Sequence, residues 1–350
     1  MAAPVGSISL PPGKDTFLKI FIKHQIRPNP KPPLESNSVT QQTAVITGGN
    51  TGIGLECGRL LLSLQLSHLI LAVRSLKKGE EAAAPLRKLY PEAKVDVWHL
   101  DLSSYESIRG FARKCAALSR LDIAILSAGI MNMAFDISLS TGHEETFQVN
   151  YLSTALLALL LLPSLKNNPS GTPGRLTLVA SGAALIAELS ELNEVPLIHS
   201  LDKQEGWNAS AAKKRYDTTK AMVLMLTLKL SKITKAENTV INVVDPTFTP
   251  GTGFFRNLPF LMRVFAWPLA TLLGTSVNNA AWRYIDAAVA RGEESHGSFL
   301  SDWEIHPFHA FMYTEQGNRF MDRLWNETLK ELDCPEVREV LESLREEPAV

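Results

Sequence analysis

A glycine run placed directly after an apolar strand and at the head of a helix constrains this 350-residue chain more than any other feature. Thr43-Ala44-Val45-Ile46-Thr47 reads as a buried strand, Gly48-Gly49-Asn50-Thr51-Gly52-Ile53-Gly54 as a tight turn, and the residues from Ile53 onward as a helix. Strand, glycine turn and helix in that order open a βαβ unit, whose crossover lays the next strand parallel to the first. Gly48 permits the turn, Gly52 lets the backbone approach a pyrophosphate, and Gly54 allows close packing of helix on strand. The helix N-terminus, with Asn50, Thr51 and Ile53 beside it, offers amides and a positive dipole end to a phosphate group.

Strand-like and helical runs then alternate. His68 to Val73 precedes a helix near Lys78 to Tyr90, Lys94 to Leu100 one near Tyr105 to Leu118, and Leu121 to Leu126 a long one near Glu144 to Leu165. Arg175 to Ala180, a helix near Ala212 to Lys235, and Thr239 to Val244 complete the series. Runs such as Leu121-Asp122-Ile123-Ala124-Ile125-Leu126 are apolar almost throughout, as parallel strands covered on both faces must be. The pattern predicts an α/β fold, a doubly wound Rossmann-type parallel sheet in a single domain over 43–335. An N-terminal extension occupies 1–42, a substrate insertion 182–215, a lid 247–275 and a C-terminal tail 336–350.

With 45% hydrophobic and 20% charged residues the chain can bury a full core. A formal net charge of −1 and the lack of a basic stripe argue against nucleic acid as a partner. Cys57, Cys115 and Cys334 are widely spaced and odd in number, so neither a disulfide framework nor a zinc site is expected, and the compartment reads as reducing. His306 and His309 gather no further ligands, so no metal is predicted. Thr16 to Lys23, between proline-rich stretches, reads as an arm docked on the domain, with weak membrane or partner contact as the alternative. Tyr151 to Leu165 is too short to span a bilayer and fits a buried helix, so no transmembrane segment is expected and a cytoplasmic location follows.

The second informative stretch is Tyr216-Asp217-Thr218-Thr219-Lys220. Tyr216 and Lys220 share one face of a helix. For acid or base work near neutrality a phenol must move from pKa ~10 to near 7, worth ~4 kcal/mol. One ammonium ~4 Å away at an effective dielectric of ~20 supplies about that much.

With T-G-x-x-x-G-x-G at its start and Y-x-x-x-K past its middle, the chain resembles the short-chain dehydrogenase/reductase family from about Gln42 to the C-terminus. The resemblance implies a nicotinamide cofactor and hydride transfer to or from a carbonyl or alcohol. It makes Tyr216 the proton donor or acceptor and gives Lys220 the task of lowering the phenol pKa and binding the nicotinamide ribose. Ser181 then holds the substrate oxygen, and Asn150 positions a water in the proton relay. Asp101 and Leu102 lie by the adenine. The family's Asn-Asn-Ala-Gly is here Leu126-Ser127-Ala128-Gly129, with Ala128 and Gly129 on the cofactor. Its Pro-Gly after the sixth strand is replaced by Asp245-Pro246-Thr247, leaving Thr252 to reach the cofactor. Arg74, where an NAD enzyme typically has an acid, favours NADP(H) by pairing with a 2′-phosphate.

The stretch between Ser181 and Tyr216 is longer than usual in the family, and Leu185, Leu189, Leu197 and Trp207 within it are expected beside the substrate. An apolar lid over Phe254 to Leu273 implies a lipophilic substrate. The overall pattern, with a tail reading Arg323-Leu324-Trp325-Asn326-Glu327-Thr328-Leu329, is most similar to the retinol-dehydrogenase-like and fungal secondary-metabolism branch. Dimerisation through helices matching Glu144 to Leu165 and Ala212 to Lys235 is the family expectation. A member that binds NADPH without redox turnover, as a scaffold or cyclisation catalyst, is the alternative.

Overall fold

In the computed structural model the described residues are 6–13, 38–166, 171–189, 195–250 and 274–345. The N-terminal run Thr16 to Lys23, the lid segment Phe254 to Leu273 and Thr252 lie outside them.

Eight strands form one sheet among these residues: β1 (Thr43–Thr47), β2 (His68–Val73), β3 (Lys94–His99), β4 (Ile123–Leu126), β5 (Gly174–Val179), β6 (Thr239–Val244), β7 (Ser298–Ser301) and β8 (Glu304–His306). Their order is β3-β2-β1-β4-β5-β6-β7-β8, parallel except that β8 runs antiparallel to β7. The chain leaves β1 toward β2 and β3, then returns to lay β4 on the other side of β1. That reversal is the switch point at which doubly wound sheets bind ligands.

Alternation along each strand divides the core into two layers. Val45, Ile70 and Ala72 face one layer with helices α3 (Tyr105–Ala116), α4 (Glu145–Lys166) and α5 (Ala209–Ile233). Ala44, Ile46, Leu69 and Leu71 face the other with α1 (Gly52–Ser63), α2 (Leu76–Leu89) and α6 (Val277–Ile285). Close approach to the sheet excludes side chains at some positions. A Cβ on Gly79 of α2 would sit 2.4 Å from Val97 Cγ1, and one on Gly54 of α1 would sit 2.8 Å from Gly48 O.

The central helix has the extent and burial expected near Glu144 to Leu165, although it is longer than the apolar stretch Tyr151 to Leu165. At 22 residues, with an 18-residue window of mean hydropathy 1.4, α4 is long and apolar enough to cross a membrane. However, 89% of that window is buried inside the fold, so its apolarity is that of a core helix.

The C-terminal region supplies part of its cover. Helix α7 (Glu315–Glu331) is tied to α4 by Tyr151 Oη and Thr328 Oγ1, 2.8 Å apart. Helix α8 (Pro335–Arg345) packs against α4, with Val337 and Val340 buried. Glu336 at its start accepts from Arg109 of α3 at 2.8 Å. On α5, residues 217–228 are buried without a break. The helices that the resemblance assigns to a dimer contact are therefore largely covered by the chain's own segments.

At the N-terminus, Ser7 joins the β7 edge: its Oγ accepts from Phe299 N at 2.8 Å, and its carbonyl accepts from Tyr313 Oη at 2.7 Å.

Candidate active site

A cavity of about 880 Å³ opens over the C-terminal ends of β1, β4, β5 and β6. Gly48 and Gly52 both have positive φ, 67° and 57°, which the turn requires and a β-carbon would strain. Helix α1 then begins without a side-chain cap on its amides. Serines cap α2, α3 and α6 and Asn208 caps α5, so α1 keeps its first amides for something else. Gly48, Asn50, Thr51, Gly52, Ile53 and Gly54 all line the cavity.

Arg74 lines it at the end of β2 and is exposed, and Ser75 and Lys78 at the start of α2 join it there. The buried fit of Gly79 between Val73 and Val97 draws this end of α2 onto the sheet. Asp101 and Leu102 line the same side. The Asp101 carboxylate accepts from Ser103 N at 2.9 Å, and its own amide donates to Ser107 Oγ at 2.9 Å. Ala128 and Gly129 line the cavity after β4, and Ala128 N donates to Thr47 Oγ1 at 3.0 Å, tying β4 to β1.

Ser181 follows β5, where its Oγ accepts from Ala183 N at 3.3 Å and hydrogen-bonds the phenol of Tyr216. Tyr216 and Lys220 lie on α5, whose start is fixed by Asn208 Oδ1 accepting from Ser210 N and Ala211 N. Lys220 Nζ donates to Val179 O at 2.9 Å and stands 5.8 Å from the Tyr216 ring centroid. A β-carbon on Gly129 would come within 3.2 Å of that ammonium, so glycine leaves the lysine its room. Burial pulls the Lys220 pKa down to about 8.

The phenol behaves differently from the sequence expectation. Burial pushes the Tyr216 pKa well above its ordinary value, the hydrogen bond with Ser181 opposes this, and the charges of Asp217 and Asp245 add to the rise. The Lys220 ammonium donates to the Val179 carbonyl. Ser181, Tyr216 and Lys220 all line the cavity.

Asn150 does not. It sits in a π-helical turn, Gln148–Leu152, within α4 and is 1% exposed. Its Oδ1 accepts from Ile130 N at 2.8 Å, while its Nδ2 donates to Ile130 O at 2.9 Å and Thr219 Oγ1 at 3.1 Å. The side chain thus clamps the loop after β4 to the helix carrying Tyr216, and the π-turn aims it inward.

The insertion meets the cavity with other residues than those singled out from sequence. Leu189 and Leu197 are buried in the core, Leu185 packs against it, and none of these leucines lines the cavity. Trp207 donates from Nε1 to Met133 O at 2.9 Å and so steadies the loop after β4. Gly182, Ala183, Ile186, Ala209 and Lys213 are the described insertion residues that face the space. Adjacent positions on a helical turn face different ways, and only the fold decides which face is inward.

Among the lining residues given no role from sequence are Asp245, Tyr284 and Met131. Asp245 is 1% exposed, accepting from Thr247 N at 2.9 Å and Ser301 Oγ at 3.3 Å. Tyr284 of α6, 2% exposed, receives a 3.3 Å hydrogen bond from Ser127 Oγ. Met131 lies in the loop after β4. The unusual Asp245-Pro246 after β6 was a signal for the first; nothing local marks Tyr284, which enters from a remote helix.

The strand order, with a glycine turn at the switch point, defines a Rossmann-type α/β protein. A family model described as short chain dehydrogenase matches residues 42–190. A short chain dehydrogenase/reductase of Annulohypoxylon moriforme is 43% identical over 344 residues, covering 97% of this chain and 99% of that protein. A short chain dehydrogenase of Hypocrea virens is 38% identical over 320 residues, with 90% and 92% covered. Among solved structures, a short-chain type dehydrogenase/reductase from Mycobacterium marinum superposes with a TM-score of 0.58 at 19% identity, over 81% of this chain and 99% of that one. A short chain dehydrogenase from Escherichia coli complexed with NADPH gives 0.57 at 18% identity, over 78% and 100%. The chain belongs to the short-chain dehydrogenase/reductase family, a family of oxidoreductases.

Proposed function

We propose that this protein is an NADP(H)-dependent oxidoreductase acting on a carbonyl or alcohol of a lipophilic small molecule, a fungal secondary-metabolite intermediate among the candidates. The observation that carries the reading is the joint presence of the glycine turn, Arg74 and the Ser181–Tyr216–Lys220 group on one cavity. The cofactor fits the residues present: the positive-φ turn of Gly48 and Gly52 lines the cavity, and α1 has no side-chain cap on its first amides. Gly48, Asn50, Thr51, Gly52, Ile53 and Gly54 would hold its pyrophosphate, Arg74 a 2′-phosphate, Asp101, Leu102, Ala128 and Gly129 its adenosine side. Lys220 would hold the nicotinamide ribose, and Thr252 is proposed as a further contact. NADP(H), when bound, supplies or accepts the hydride.

Tyr216 moves the proton at its Oη, and Ser181 Oγ orients the substrate oxygen and stabilises its developing charge. Burial raises the Tyr216 pKa and the Ser181 hydrogen bond opposes the rise, so the Ser181 contact is the one within the group that favours proton release. Asn150 acts from behind, fixing α5 relative to the loop after β4. The two sequence relatives named above come from fungi, in keeping with the fungal branch that the sequence resembles.

The test is NADPH consumption with lipophilic aldehydes and ketones, beside Tyr216→Phe and with NADH as the comparison cofactor. Turnover that prefers NADPH and falls ~10²- to 10⁴-fold in Tyr216→Phe is expected. Tight NADPH binding without turnover on any carbonyl would overturn the redox reading.

A further inference from the structure

Two charged residues that line the cavity, Lys213 and Asp217, lie outside the Ser181–Tyr216–Lys220 group. Helix α5 has no acid in its first turn and soon presents Lys213-Lys214-Arg215, three cations near the positive end of its dipole. Lys214 and Arg215 are tied to other segments, to Glu188 at 2.7 Å and to buried Glu144 at 3.0 Å. Lys213 instead contacts Asp217, one turn later on its own helix. Lysine preceding an acid is the weaker order for such a pair, so helix stabilisation accounts for little of it.

Ala209, Lys213, Tyr216, Asp217 and Lys220 form the stripe of α5 that lines the cavity. The Asp217 side chain is only 9% exposed, whereas that of Lys213 is 60% exposed, so the carboxylate lies inside and the ammonium at the open side. In sequence they lie three residues before and one after Tyr216 on the same helix. Met131, Met133 and Ile186 give the same cavity apolar walls.

This combination selects a ligand group by charge. A carboxylate would meet Asp217, and an amine would meet Lys213. A hydroxyl satisfies both, since its oxygen accepts from the ammonium while its hydrogen donates to the carboxylate. We propose that Lys213 and Asp217 form a hydroxyl clamp, so that the preferred substrate is an apolar carbonyl compound bearing a second oxygen, a hydroxyl, away from the reacting carbonyl. The clamp deepens the reductase reading above and rests on it for the position of the carbonyl.

The experiment compares 4-hydroxy-1-tetralone, whose hydroxyl lies across the ring from its carbonyl, with 1-tetralone. Dissociation constants for both are measured by calorimetry on the full chain loaded with NADPH, in the wild type, Lys213→Met and Asp217→Asn, alongside NADPH consumption. The clamp predicts ~10- to 100-fold tighter binding of the hydroxy ketone by the wild type, a preference lost in both variants. Equal binding of the two ketones by the wild type, or a preference that survives both substitutions, overturns it. Because Lys213 is largely exposed, its variant tests the clamp even if Asp217→Asn fails to fold. Binding preference without NADPH consumption would support the clamp while counting against reduction; consumption without preference would do the reverse.

Discussion

His143 offers a quantitative handle on how the site is braced. It precedes α4 and is 5% exposed, with Nδ1 2.8 Å from Asp202 of the insertion and Nε2 3.0 Å from Glu331 of α7. Burial alone would disfavour its charge, but hydrogen bonds and attraction from the two carboxylates outweigh it and raise the pKa from 6.5 to about 9. A pKa raised in the folded state contributes stability that is complete below pH 6.5 and is lost as pH rises through about 9. The difference between those two values corresponds to about 3 kcal/mol. Replacing His143 with Gln keeps most of the volume and removes the charge. Urea unfolding of wild type and variant, below pH 6.5 and above pH 9, should show a stability gap larger at low pH by about 3 kcal/mol. The same gap at both pH values would refute the reasoning, because it would mean that His143 is neutral in the folded protein.

Arg74→Glu should weaken NADPH binding about tenfold or more, with little change for NADH, as fluorescence titration of both cofactors would read out; an equal loss for the two would deny the arginine a 2′-phosphate. Gly54→Ala places a β-carbon 2.8 Å from Gly48 O and should cut NADPH affinity at least ~10-fold, while circular dichroism shows the fold retained. Deleting 335–350 removes the contacts of Val337 and Val340 with α4, and the exposed apolar surface should drive self-association in sedimentation; a well-behaved species of unchanged size would show that α8 is dispensable cover.

The sequence by itself determined the doubly wound sheet and the two motifs that meet on it. Apolar runs such as Ala44 to Ile46 announce strands buried on both faces, and the glycines mark a turn no other residue can make as easily, because both signals are set by neighbours along the chain. The short strands β7 and β8 carried too little pattern to be read, and α6 brings Tyr284 to the cavity from far along the chain. Only the tertiary structure decided that Ile186 rather than Leu185 faces the cavity, that Asn150 braces the loop after β4 and α5, and that Lys220 turns to the Val179 carbonyl. It also decided the surroundings of Tyr216, since burial and the carboxylates of Asp217 and Asp245 act on the phenol through space. Desolvation, field and side-chain direction depend on which remote segments pack together, and that information is spread over the whole chain rather than written at any one position.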